Sequence, residues 1–292
     1  VTELWQYEFM QRALVAAVLV GLVTPVIGTF LVQRRLALLG DGIGHVALTG
    51  VALGVLTSTS PVLTAAIVSV VGAILIELVR VRTRTSGDVA LALLFYGGIA
   101  GGVLLIGLAP GANNATLTSF LFGSVSTVSE QDIWIVGALA VSVAAVVAFY
   151  GRELFVLCQD EEVARAHGLP VRFLSVLLAV TAALTVVIGM QIVGVLMVSA
   201  LMIVPVAAAQ QLSKSFRVTM ALAVGIGLLS SLAGLPTAYY ADLAPGATII
   251  LLALALFCVA VGVGAVRKLR PHHGTAVPEA GTMPQTGRGR VT

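Results

Sequence analysis

Nine stretches of about 20 apolar residues each, separated by short polar runs, govern what this chain can fold into. They are read at residues 12–33, 36–58, 61–79, 87–109, 131–150, 172–189, 191–210, 218–236 and 246–266. At the helical rise of ~1.5 Å per residue, such a length matches a hydrocarbon core of ~30 Å. Only 10% of the 292 residues are charged, against roughly 25% in a soluble domain. Mean hydropathy is +1.07. The expected fold class is all-α: one polytopic transmembrane domain over residues 1–270. Spans six and seven are short and separated only by Gly189, Met190 and Gln191, so eight and ten spans stand as alternatives to nine. Residues 271–292, rich in Pro, Gly and Thr, lack apolar periodicity and are expected to form a disordered cytoplasmic tail.

Charge placement orients the spans. With this segmentation every one of the 16 Lys and Arg residues except Arg12 falls on one side of the membrane. The positive-inside rule makes that side cytoplasmic, which puts the N-terminus outside and the C-terminus inside. The net charge of +3 therefore reads as a topology signal. No basic stripe with interleaved aromatics of the nucleic-acid-binding kind occurs. Cys158 and Cys258 lie far apart in sequence, without metal-ligand spacing, and suggest no disulfide framework.

The second span carries the most unusual chemistry. Asp41 and His45 stand one helical turn apart, on one helix face, within LALLGDGIGHVALTGVALGVL. Ionisable groups at membrane depth are costly and mark binding sites or ion pathways. A carboxylate oxygen and an imidazole nitrogen suit zinc, manganese or ferrous iron. The pair is only half of a coordination shell. A structural reading also stands, with Asp41 as a helix cap and His45 as a donor between helices. Glu77, Asp88, Glu130, Asp132 and Asp242 lie near span ends and read as interfacial, whereas Met190, Met197 and Met202 read as packing.

The longest cytoplasmic loop is expected at residues 151–172. Its EEVARAHGLPV places Glu162, Ala164 and Gly168 in an acid–small–small–x–x–x–glycine frame, with Val163 at the first small position. The first part favours helix, and Gly168-Leu169-Pro170 ends it. A short helix lying under the membrane suits docking into a groove on a partner. Residues 110–130 form a turn-rich external segment with room for a re-entrant piece. No G-x-x-x-x-G-K-[ST], G-x-S-x-G or H-E-x-x-H motif is present, so any ATP hydrolysis belongs to another subunit.

Taken together, FLVQRRLALLGDGIGHVALTGVALG resembles the metal-site segment of the bacterial zinc/manganese ABC-transporter permeases. DEEVARAHGLPVRFL is similar to that family's coupling-helix loop. FLFGSVSTVS resembles the segment before its fifth helix, and QIVGVLMVSALMIVPVAAAQQL a later span. The resemblance covers about residues 8–266, with Gly44 in place of the usual serine and Thr49 where proline is common. It implies a type II ABC-importer-like permease that holds no permanent cofactor and hydrolyses no ATP itself. It also implies a homodimer in the cell membrane, in contact with lipid, with cytoplasmic ABC ATPase subunits and an extracellular metal-binding lipoprotein as partners. Asp41 and His45 would correspond to the metal-coordinating pair, and Glu162, Ala164 and Gly168 to the ATPase-coupling helix. The cargo would be manganese or zinc, with iron a further candidate. Two alternatives remain: a permease for a metal chelate or cobalamin, and an ATP-independent metal ion carrier.

Overall fold

The computed structural model describes residues 8–82, 87–108, 119–124 and 129–269. Residues 110–118, 125–128 and 271–292, on which the re-entrant piece and the tail were expected, lie outside the described residues. The helices are α1 (Glu8–Gln33), α2 (Leu39–Leu56), α3 (Pro61–Arg82), α4 (Gly87–Leu108), α5 (Glu130–Gln159) and α6 (Glu161–Ala166), followed by α7 (Val171–Met190), α8 (Val195–Leu212), α9 (Phe216–Ala241) and α10 (Pro245–Leu269). Among the described residues, nine helices are long and apolar enough to cross a membrane, whereas α6 is short. The expected spans are all present, and the boundaries differ in two informative places.

Helix α5 continues nine residues beyond its expected span of 131–150, through GRELFVLCQ, where a loop was expected. Leu154, Leu157 and Cys158 on this extension are buried, and nothing in the run breaks a helix. The chain turns only at Asp160, whose carboxylate accepts the N–H groups of Glu162 and Val163 and so starts α6. Helix α2 starts at Leu39 rather than Leu36, because residues 34–38 are spent on ending α1. Arg35 adopts a left-handed φ of 58°. Leu36 N–H reaches back to Leu31 O at 2.9 Å and Arg35 N–H to Val32 O at 3.0 Å. That pair of bonds is a Schellman motif, which satisfies the last carbonyls of α1.

Helices α1, α2 and α7 are the most buried spans, and α4 and α5 the least. Helix α1 packs on α9, α8 and α5, while α8 lies against α10 and α9. Helix α2 is held between α3 and α4 and touches α7 and α8. Spans six and seven are two helices, separated by a turn at 191–193 and by Gly194 with φ 88°. Residues 119–124 close that break: Ser124 N–H donates to Gln191 O at 3.3 Å. Gly123, at φ 80°, lies against the carbonyl of Ile192, and Gly194 lies against that of Leu121.

The approach of α4 to α2 is equally close. A methyl group on Gly98 would stand 2.7 Å from the His45 carbonyl carbon and the Val46 nitrogen. Neither backbone can yield locally, so α4 would have to move away. Gly98→Ala is expected to destabilise the protein by about 1–3 kcal/mol, read as a lower melting temperature in detergent. Gly97→Ala is the control, since a methyl there meets nothing within 4 Å. Equal melting of the two variants would refute this packing.

Candidate metal-binding site

Helix α2 presents both ionisable groups close to its start. Asp41 is in the first turn and is half-buried. It caps no helix: the residue at the N-cap position is Leu38, and no side-chain bond caps α2. Its carboxylate instead accepts a hydrogen bond across to α8, from Ser199 Oγ to Oδ1 at 3.2 Å. A hydrogen bond to a charged group is worth about 1.5–3 kcal/mol, and this one fixes the carboxylate while using only one of its oxygens.

His45 is 7% exposed, and its Nδ1 is buried without a hydrogen-bond partner. The ring is held by Phe95 of α4, edge to face, with centroids 4.3 Å apart and planes at 73°. One turn on, Thr49 Oγ1 donates to Gly98 O at 2.7 Å and ties the two helices together. A buried polar atom left unpaired costs about 1–3 kcal/mol, and Phe95 orients the ring without satisfying it. Among the described residues, what remains is a fixed imidazole with a free Nδ1, one turn from a carboxylate of which only Oδ1 is engaged.

Asp41 opens into a cavity of about 240 Å³ between α2 and α4, lined by Leu38, Asp41, Gly42, Leu91, Ala92, Phe95 and Tyr96. Beyond it α4 is largely uncovered, with Leu93, Tyr96, Val103 and Leu104 all exposed. Among the described residues no cluster of three or more His, Cys, Asp or Glu side chains stands ready to hold a metal ion. The pair stays a pair within one chain. Met202 is buried, with its Sδ beside Gly40 and close to Ser199. Glu77, expected at the interface, is buried instead, with Arg80 at 3.1 Å.

The residues singled out in the loop at 151–172 lie together on and after α6. Ala164 is buried against the bundle, while Glu162 and Val163 are exposed on the free side. Gly168 has φ 74°, with Leu169 N–H bonded to Ala164 O at 3.1 Å and its own N–H to Arg165 O at 2.9 Å. Gly168 is thus the left-handed residue of a second Schellman motif. Sequence reasoning missed Ser199 and Phe95. A lone hydroxyl in VLMVSALM and one aromatic in an apolar span carry no local signal, and only the packing brings them to α2.

The family model described as "ABC 3 transport family" matches residues 6–264. The chain belongs to that family. It is 35% identical over 257 residues to the manganese transport system membrane protein MntC of Listeria monocytogenes, covering 88% of this chain and 91% of the relative. It is 30% identical to the manganese import system permease protein ScaB of Streptococcus parasanguinis, over 92% and 95% of the two chains. Among solved structures, PsaBC from Streptococcus pneumoniae in complex with Fab superposes with a TM-score of 0.79 at 30% identity, covering 88% and 92%. The protein is accordingly a multi-pass cell-membrane subunit of an ABC transporter.

Removing the Ser199 hydroxyl tests the bond that orients the site. Ser199→Ala should lower stability in detergent by about 1.5–3 kcal/mol, and Ser199→Thr, which keeps a hydroxyl, should recover most of it. Unchanged melting of Ser199→Ala would show that Asp41 is held by something else.

Proposed function

We propose that this chain is the permease subunit of an ATP-driven importer of a divalent transition metal ion, with manganese as the cargo. One observation carries the reading. Asp41 and His45 stand one turn apart at membrane depth, each with a ligand atom for which the described residues supply no hydrogen-bond partner. Relatives at 35% and 30% identity are named for manganese transport, which supports manganese. A mixed nitrogen and oxygen ligand set also accepts zinc and ferrous iron, so selectivity rests on geometry and on the delivering partner.

Two copies of the chain complete the coordination sphere. Each supplies one carboxylate and one imidazole about a twofold axis, and the uncovered face of α4 beside the cavity supports a second copy there. An extracellular metal-binding lipoprotein delivers the ion at the external ends of the helices, including the turn between α9 and α10. Cytoplasmic ABC ATPase subunits dock on α6, whose exposed Glu162 and Val163 face away from the bundle. The ion leaves its hydration shell for Asp41 and His45 of both copies and is released inward when ATP binding displaces α6. Such a site must attract the ion yet let it go, which a small set of ligands shared between two chains achieves.

The decisive measurement is ATP-dependent uptake of radioactive manganese into proteoliposomes holding the permease, its ATPase and its lipoprotein. Asp41→Ala and His45→Ala are each expected to reduce uptake to the ATP-free background while inserting normally, since both substitutions lower the cost of burial. Wild-type uptake by Asp41→Ala would sink the site. Uptake of zinc in place of manganese would reassign the cargo, and uptake without ATP would favour a carrier. Glu162→Lys should abolish uptake but leave metal binding intact, and loss of both together would contradict a coupling role.

A further inference from the structure

Arginines at the cytoplasmic ends of membrane helices ordinarily sit in water and report topology. Arg34 does not. Its side chain is only 7% exposed, and its two terminal nitrogens are used on two different elements. Nη2 donates to Glu161 Oε2 of α6 at 3.2 Å, and Nη1 donates to the buried Ser175 Oγ of α7 at 3.1 Å. Glu161 is anchored a second time by Arg165 on the same short helix, at 2.6 Å. Arg34 is thus a fork driven between the cytoplasmic helix and the span that follows it.

What Arg34 is joined to in the other direction gives the contact its meaning. It directly follows Gln33, the last residue of α1, at the turn into α2. The bonds Arg35 N–H to Val32 O and Leu36 N–H to Leu31 O are followed by Leu39 N–H to Leu36 O at 3.0 Å and Gly42 N–H to Leu38 O at 3.1 Å. Each turn from Arg34 to Asp41 is closed by a backbone hydrogen bond. The end of α1 is also gripped by α5, through Gln33 Nε2 to Gln159 Oε1 at 3.5 Å and Cys158 Sγ to Phe30 O at 3.6 Å. A displacement applied at Glu161 therefore reaches the start of α2 through one guanidinium and a stiff turn. The other link to the site, along the chain through α7, the break at 191–194 and α8 to Ser199 and its hydrogen bond to Asp41, is much longer.

We propose that Arg34 is the positioning residue that couples α6 to Asp41 and His45, so that movement of α6 resets the α2 ligands. This rests on the importer reading above. The chemistry demands arginine: its planar fork serves two acceptors at once, whereas a lysine ammonium is a single point that holds one of them firmly. Arg34 touches no cargo, so losing it leaves the ligands in place and separates ATP hydrolysis from transport.

The test uses the assembled transporter in proteoliposomes and reads manganese uptake per ATP hydrolysed, beside equilibrium manganese binding without ATP. Arg34→Lys, Arg34→Ala and Glu161→Gln should each lower uptake per ATP by roughly 3- to 30-fold, with metal binding and hydrolysis close to wild type. Pairing Arg34→Glu with Glu161→Arg should restore at least half of the lost coupling. If Arg34→Ala fails to insert, Glu161→Gln and Ser175→Ala, which change only the two acceptors, carry the comparison. The proposal is overturned if these variants keep wild-type stoichiometry, if they lose metal binding in step with uptake, or if the exchanged pair is no better than the single changes. A wild-type transporter that shows no ATP-dependent uptake removes the importer reading itself, and the clamp falls with it. That result is distinct from wild-type uptake with coupled variants, which removes the clamp alone.

Discussion

A bilayer interior supplies no water to a severed backbone, yet this chain interrupts its helices between Met190 and Val195. The interruption persists because residues 119–124 bring their own backbone to it. Gly123 and Gly194 both take left-handed φ and pass against each other's neighbouring carbonyls, with Ser124 bonded to Gln191 O. No residue with a Cβ fits at that crossing without pushing the segments apart. The crossing also determines where α8 begins, and Ser199 lies one turn further on. Because Ser199 holds Asp41, the position of the carboxylate depends on a contact made by residues far from it in sequence.

Helix α2 meets the same constraint from the other side. It carries two groups that a membrane disfavours, and it is nevertheless among the most buried spans. Close approach by α4 makes this workable: Gly98 packs directly on the His45 backbone, Phe95 covers the ring, and Thr49 bonds back to α4. Dispersion between backbones in contact replaces a hydrophobic driving force that lipid does not provide. The imidazole Nδ1 is left bare as a consequence, since the Phe95 ring packed on it offers no hydrogen bond. Fixing the ring and leaving its nitrogen free follow from one packing choice.

Span number, helix class and the Asp41–His45 pair were legible because each is a local property: length, apolar composition, i to i+4 spacing. The start of α2 was misplaced by three residues, because a left-handed arginine leaves no mark in sequence and the Schellman turn uses residues that look like helix. The extension of α5 was missed for the opposite reason. A charged pair, Arg152 and Glu153, resembles a loop, although Leu154, Leu157 and Cys158 continue a buried face. Ser199 and residues 119–124 were beyond reach of any window, since their roles exist only across helices. Gly168 was noticed for its spacing, and the structure supplies its physical reason, a left-handed helix end.

Arg34 and Arg35 show how far charge counting reaches. Both raise the positive count on the side expected to be cytoplasmic equally, and the positive-inside rule treats them alike. Their environments differ in kind. Arg35 accepts a strained φ of about 1–2 kcal/mol so that α1 can stop abruptly and its carbonyls stay paired. Arg34 gives up water for two oxygens on two elements, which is tolerable only because both acceptors are already held, Glu161 by Arg165 and Ser175 by its burial in α7. A cation desolvated to that degree is strongly sensitive to the distance of its partners. Any shift of α6 by an ångström or two must then move Arg34 or break it free. The first outcome drags the start of α2, and the second strands a buried charge, so the cheaper response is for the α1–α2 turn to follow.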